Sequence, residues 1–179
     1  MSRTAEEHKA SAPEHLKFAV IICSTSRYKE FSESRRLNDP SGDLIVKMLK
    51  ENGHAVTMRR IISDDKTQIQ RILMRALKSR KVDAIIFSGG TGISPRDVTI
   101  ETVQPLLEKE IPGFGEIFRA LSYEEIGSAA ILTRALAGVA KGKAIFCLPG
   151  SPQAVSLALK KLILPEAGHI IKHAREEQP

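Results

Sequence analysis

Between residues 18 and 87 the hydrophobic pattern switches four times between strand and helix periods, and this alternation restricts the fold more than any other feature. Phe18 to Cys23 is a continuous β-branched apolar run, as expected of a strand buried on both faces. Asp39-Pro40 then reads as a helix N-cap with proline at the first helical position. Leu44, Ile45, Met48 and Leu49 share one helical face, and Asn52-Gly53 supplies the stop. Ala55 to Ile62 reads as a second strand. Ile69, Ile72, Leu73, Ala76 and Leu77 follow the spacing of an amphipathic helix, and Val82 to Phe87 gives a third strand. Strand, helix, strand, helix, strand implies parallel strands joined by helical crossovers on the sheet faces. The expected fold class is α/β, a three-layer α/β/α arrangement with a mostly parallel central sheet.

The rest of the chain fits one such domain, which 179 residues are enough to build. Residues 1–15 are polar and lack periodicity, so a flexible lead-in is expected there and a single domain over 16–179. Residues 27–38 are highly charged without a clear period and read as a mobile loop. A helix is expected from Thr99 to Lys109, a break at Ile111-Pro-Gly113, and a second helix from Phe114 to Glu125. Ala135 to Ala140 and Ala144 to Leu148 read as a strand pair across Lys141-Gly142-Lys143, and two helical stretches finish the chain.

Composition removes several function classes. Six Phe, two Tyr and no Trp leave few platforms for stacking bases. The net charge of +6 comes from basic residues scattered over several segments, so no nucleic-acid partner is expected. The longest uncharged stretch, 144–159, contains Pro149, Gly150 and Pro152 and is too short and broken to span a bilayer. The N-terminus carries Arg3, Glu6, Glu7 and Lys9 and no secretory apolar block, which points to a cytoplasmic protein. Cys23 and Cys147 sit in apolar runs and read as buried small hydrophobes. The five histidines show no metal spacing and no partnered nucleophile.

Chemistry is expected at three places. Ser88-Gly-Gly-Thr-Gly-Ile-Ser-Pro-Arg-Asp97 follows a strand, and its glycines let a ligand approach backbone amides that together form an anion cradle. The loop is neither the dinucleotide-binding glycine pattern nor a P-loop. Asp64 and Asp97 each lie just beyond a strand, at the sheet edge where α/β proteins bind ligands. Each could cap the helix that follows, or the two together could hold Mg²⁺ beside bound phosphates. Pro149-Gly-Ser-Pro152 offers a hydroxyl and free amides before a helix, and Thr25-Ser26-Arg27 is a weaker case of the same kind.

Three segments in order, Gly89-Gly-Thr-Gly-Ile-Ser-Pro-Arg-Asp-Val-Thr99, Ile111-Pro-Gly-Phe-Gly-Glu116 and Leu148-Pro-Gly-Ser-Pro152, resemble the MoaB/MogA family of molybdenum cofactor biosynthesis proteins. The resemblance covers roughly residues 17–172. It implies a molybdopterin-binding, MogA-like fold, a homotrimer or a hexamer of two trimers, and transfer of an adenylyl group from ATP to molybdopterin. A hand-off of the product to a molybdenum insertion protein is implied as well. Carried over by position, Asp97 is the catalytic acid and Asp64 the second acidic position, both also toward Mg²⁺. Gly89, Gly90, Thr91, Gly92, Ser94 and Arg96 then belong to the ligand loop, and Pro149, Gly150 and Ser151 to the substrate-site turn. Thr133 stands, with Arg134, where the family usually has Ser-Arg. The first-strand exit departs from the family, with Thr25-Ser26-Arg27 in place of Ser-Asp-Arg. That departure leaves an alternative reading, a non-catalytic molybdopterin carrier or scaffold.

Overall fold

The computed structural model describes residues 12–34 and 38–176. Strands β1 (Lys17–Cys23), β2 (Ala55–Ile62), β3 (Ala84–Ser88) and β6 (Lys143–Leu148) run parallel, while β5 (Leu136–Ala140) and β4 (Lys109–Glu110) add antiparallel at one side. The sheet order is β2-β1-β3-β6-β5-β4. Every residue of β3 and β6 is buried, and β1 is buried from Phe18 onward, as uninterrupted apolar runs require.

Helices α2 (Pro40–Glu51), α3 (Lys66–Lys78), α4 (Thr99–Val103), α5 (Pro112–Ile126), α6 (Pro152–Ala158) and α7 (Leu164–Arg175) supply the outer layers. Alternate side chains of the central strands enter two separate cores. Phe18, Val20, Ile22, Ile86 and Phe146 pack with Ile45, Leu49, Phe118, Val155 and Ile171 on one face. Ala19, Ile21, Ile85, Phe87 and Ile145 pack with Ile69, Leu73 and Leu77 on the other. Three layers are the direct result, as the alternation of periods predicts.

The ends of α2 behave as expected, with Asp39 accepting from the Gly42 amide, Pro40 at the first position, and Gly53 at φ +79° behind the last turn. The strand pair turns at Lys141 (φ 50°) and Gly142 (φ 66°), the two consecutive positive φ values of a type I′ hairpin turn.

Several expectations need correction. Most of the presumed loop over 27–38 is helix, since α1 spans Thr25–Ser34, while residues 35–37 lie outside the described residues. The helix has no apolar stripe to announce it. Its first turn is anchored by Thr25 on Asp64, and Phe31 lines a shallow groove with Arg59, Arg60 and Ile61 of β2. The helix expected to reach Lys109 ends at Val103, because Pro105 cannot continue the hydrogen-bond ladder; a 3-10 turn (Gln104–Leu106) leads into the edge strand β4. The helix expected from Phe114 begins at Pro112. The two terminal stretches are continuous, α6 passing into α7 through a π turn (Leu159–Ile163) just before Pro165. The expected lead-in lies outside the described residues as far as Ser11, whereas a side chain on Gly168 would meet the Pro13 carbonyl at 2.7 Å and His15 Nδ1 is 3.0 Å from the Gly53 carbonyl.

Candidate active site

The register aligns Cys23 with Ile62, Ile22 with Ser88 and Ser88 with Leu148, so four parallel strands release their chains along one edge. Ser24-Thr25, Ser63-Asp64, the glycine loop from Gly89 and the turn at Pro149 are therefore neighbours. Sequence reading brought these segments together correctly, apart from the weight given to Thr25.

The glycine loop is held from several sides. Gly89 lies at φ +102°, and a Cβ there would run into the Cys23 carbonyl, so this position admits glycine. Thr99 clamps the turn, its hydroxyl donating to the Gly89 carbonyl at 2.9 Å and its amide to the Gly90 carbonyl at 2.9 Å. Thr91 is buried, and its carbonyl accepts from Arg134 Nε at 3.0 Å. Arg134 also reaches Glu101 at 2.6 Å, tying the loop to α4. Glu101 has a pKa below the ordinary carboxylate value, because this pairing and neighbouring donors outweigh its partial burial. Thr133, named from sequence, closes the preceding 3-10 turn through its own amide, and it is Arg134 beside it that touches the loop. Ser94 to Asp97 form a turn closed twice, by the Asp97 amide on the Ser94 carbonyl and by the Ser94 amide on Asp97 Oδ2, each at 2.9 Å. Ser94 and Arg96 are exposed on it.

Neither aspartate is a helix cap. Asp65 caps α3 through the Gln68 amide, and α4 has no side-chain cap at all. Both carboxylates instead close on the glycine loop. A Cβ on Gly90 would lie 2.9 Å from Asp64 Oδ1, and one on Gly92 would lie 2.8 Å from Asp97 Oδ2. Asp64 Oδ2 accepts from the Thr25 amide at 2.8 Å and the Thr25 hydroxyl at 2.9 Å. Asp64 Oδ1 is buried without a partner. A buried carboxylate oxygen left unmatched is costly, so an external partner is needed to offset it. Oxygen donors, two of them charged, are the set that Mg²⁺ prefers. No three His, Cys, Asp or Glu side chains converge among the described residues, so such an ion would keep much of its water. Cys23, behind the loop, has its pKa pushed up to about 12, chiefly by burial and further by the Asp64 charge, against a Thr99 hydrogen bond. It stays a thiol.

The second turn packs on the first, with Gly150 close enough that a Cβ would lie 3.3 Å from Gly89 Cα. Ser88 Oγ donates to the Pro149 carbonyl at 3.2 Å and Ser41 Oγ to the Gly150 carbonyl at 2.7 Å. Ser151 caps α6 by accepting from the Ala154 amide. Beside it opens a groove of about 560 Å³ lined by Gln153, Ser156, Lys160 and Lys161 among others, cations that the sequence reading did not single out. Arg27 turns away from the loop to buried Asp39, 3.6 Å distant, which Arg59 also holds at 2.8 Å. The hydroxyls were undervalued: Thr25, named only as a weaker case, Thr99, read only as part of the motif, and Ser41 in the first turn of α2, not named at all, fix the backbone that the more conspicuous glycines shape.

A family model described as "Probable molybdopterin binding domain" matches residues 19–169. The chain is 45% identical over 176 residues to "Molybdenum cofactor biosynthesis protein B" of Bacillus subtilis (strain 168), covering 98% of this chain and 99% of that one. It is 46% identical over 175 residues to "Molybdopterin adenylyltransferase" of Pyrococcus furiosus, covering 96% and 98%. A crystal structure of molybdenum cofactor biosynthesis protein B superposes with a TM-score of 0.83 at 45% identity, covering 93% of this chain and all of that one. The ordered glycine loop, the paired turns and these likenesses place the chain in the MoaB/MogA family of molybdopterin-binding proteins of molybdenum cofactor biosynthesis.

Proposed function

We propose that the protein is a molybdopterin adenylyltransferase. An oxygen of the molybdopterin terminal phosphate attacks the α-phosphorus of ATP, the bond from that phosphorus to the bridging oxygen of the β-phosphate breaks, and pyrophosphate leaves. The observation that carries the reading is the buried, unpartnered Asp64 Oδ1 directed at the glycine loop. Phosphoryl chemistry of this kind asks for positioning and charge compensation and needs no protein nucleophile. The site has hydroxyls, amides and carboxylates, and its one nearby thiol is held protonated.

Each group then has a task. The amides of Gly90, Thr91 and Gly92 hold phosphate oxygens, with Ser94 and Arg96 at the open side of the loop; the Gly89 amide is spent on the Leu148 carbonyl at 2.9 Å, so Gly89 serves by shaping the turn. Asp64 and Asp97 hold Mg²⁺, which supplies charge compensation on the phosphate oxygens. Thr25 and Thr99 fix the carboxylate and the loop before substrate arrives. Thr133 and the turn of Pro149, Gly150 and Ser151 border the pterin, next to the groove that Lys160, Lys161 and Glu125 line. The adenylylated product passes to a metal-insertion step.

The protein works as an assembly of copies, a homotrimer or a hexamer of two such trimers. Ile117, Tyr123, Ile126, Ile131 and Leu132, between 52% and 84% exposed along α5 and the 3-10 turn after it, support this. Among the described residues no helix is long and apolar enough to cross a membrane. Transfer of label from α-labelled ATP to molybdopterin, with release of pyrophosphate, tests the activity. Pterin binding without nucleotide binding or transfer would make the chain a carrier instead. Sedimentation tests the assembly.

A further inference from the structure

Three consecutive peptides of the glycine loop are tied by their carbonyls. The Gly89 carbonyl accepts from the Thr99 hydroxyl and the Gly90 carbonyl from the Thr99 amide, each at 2.9 Å, and the Thr91 carbonyl accepts from Arg134 Nε at 3.0 Å. These peptides are trans, and a trans peptide sets its carbonyl and its N–H on opposite sides. Each tied carbonyl therefore turns the following amide away from the tie, and the amides so turned are those of Gly90, Thr91 and Gly92. Among the described residues no protein acceptor meets any of the three. They are free to meet the same ligand.

The third tie differs from the first two. Thr99 belongs to the same loop-and-helix segment, ten residues from Gly89, whereas Arg134 reaches Thr91 from 43 residues away. It also acts where the backbone is least determined. Glycine takes positive and negative φ almost equally, so the peptide between Thr91 and Gly92 can turn over at little steric cost. Turned over, it would present a carbonyl oxygen to an anion in place of a donor. Thr91 is 3% exposed, so water is a poor substitute for the guanidinium. Arg134 is itself held at both ends. Its backbone lies between the 3-10 turn (Gly127–Leu132), closed by the Thr133 amide on the Ala130 carbonyl at 2.9 Å, and strand β5. Its Nη2 donates to Glu101 Oε1 at 2.6 Å. With Nε and Nη2 engaged in this way, Arg134 acts on the loop and leaves the ligand to the amides.

We propose that Arg134, braced by Glu101, is a positioning residue for the transfer reaction: it fixes the peptide between Thr91 and Gly92 so that the Gly92 amide faces the polyphosphate of the nucleotide. The inference rests on the transferase reading. Arg134→Met keeps an apolar stem and removes the donors. In ¹⁵N-labelled full-length protein, ATP with Mg²⁺ should shift the amide signals of Gly90, Thr91 and Gly92. In Arg134→Met the Gly92 response should vanish while those of Gly90 and Thr91 remain, and kcat for adenylyl transfer should fall about 100-fold, with a far smaller rise in KM for ATP. Arg134→Lys, whose ammonium can still reach the Thr91 carbonyl, should recover most of both. Glu101→Ala removes the brace and spares the bond to the loop; it should lower kcat about ten-fold, and it carries the test should Arg134→Met fail to fold. An unchanged Gly92 response in Arg134→Met, whether the rate falls or not, would overturn the positioning role and leave the transferase reading standing. Wild-type loop amides that ignore ATP, together with no transfer, would overturn the transferase reading and this inference with it.

Discussion

The two edges of the parallel sheet treat buried polarity in opposite ways. At the amino edge, among the described residues, the buried side-chain polar atoms are all matched within the chain. Lys143, 7% exposed, donates to the carbonyls of Ser79 and Val82. Asp83 accepts from the Lys17 amide at 2.8 Å and from Arg175 at 2.7 Å, and Arg175 Nε donates to the Gly142 carbonyl at 3.0 Å. At the carboxyl edge the matching is incomplete. The buried side-chain polar atoms left without a partner, among the described residues, belong to Arg59 in β2 and to Asp64 just past its end. A closed network stabilises the fold and has nothing to offer a ligand, whereas an open one costs stability until something binds.

The largest effect should come from breaking the open edge. On the roles proposed above, Asp64→Asn and Asp97→Asn each remove a charge from the site, and adenylyl transfer should fall by about 10²–10³-fold. Melting temperature should change little, or rise for Asp64→Asn, because an unmatched buried charge disappears. Single-turnover transfer with labelled ATP, beside thermal melts, separates the two. Gly89→Ala should harm both quantities, since the residue sits at φ +102° against the Cys23 carbonyl; a loss of about 3 kcal/mol by urea titration is expected from strain and overlap.

Lys143→Met sharpens the comparison from the other side. It leaves the Ser79 and Val82 carbonyls without their donor and should cost about 2 kcal/mol, while the folded fraction transfers adenylate at the wild-type rate. Burial already lowers the Lys143 pKa, with Asp83 opposing and Arg175 assisting, so this ammonium is held at some cost for the bonds it makes. A large fall in transfer rate in this variant would show that the amino edge does more than hold the sheet.

The sheet and its crossovers were legible because burial on both faces writes continuous apolar runs such as Phe18 to Cys23, and crossover helices write a stripe such as Ile69 to Leu77. The exposed helix α1 was not, since the ties that order it, Thr25 on Asp64, Arg27 on Asp39 and Phe31 beside β2, are tertiary and no local pattern records them. Pro105 was visible in the sequence, but the strength of its break was underrated against the helix-like residues around it. In the site, the glycines and the two aspartates stood out by residue type. Whether an aspartate caps a helix or faces a loop depends on a one-residue offset, Asp64 against Asp65, which spacing does not resolve. Arg134 was passed over for Thr133 for the same reason: a long side chain acts far from its own backbone, and its target, the Thr91 carbonyl, is fixed only by the fold.

The smallest expected effect is also the most specific to pH. Burial would raise the Asp83 pKa, but the bonds from Arg175 and the Lys17 amide outweigh it and hold the folded value below the ordinary one near 3.8. A carboxylate depressed in this way contributes its stability in full above the unfolded value and loses it as pH falls through the folded value. Asp83→Asn keeps an acceptor for the Lys17 amide and removes only the charge. At pH 7 the variant should be less stable by about 1 kcal/mol, since Arg175 is half exposed and solvent screens the pair. Urea titrations at successively lower pH should find that gap unchanged down to the ordinary carboxylate range and closing below it. Closure already near neutral pH would assign the stabilisation to another titrating group, and the matched amino edge would then owe less to this ion pair than to the backbone bonds around it.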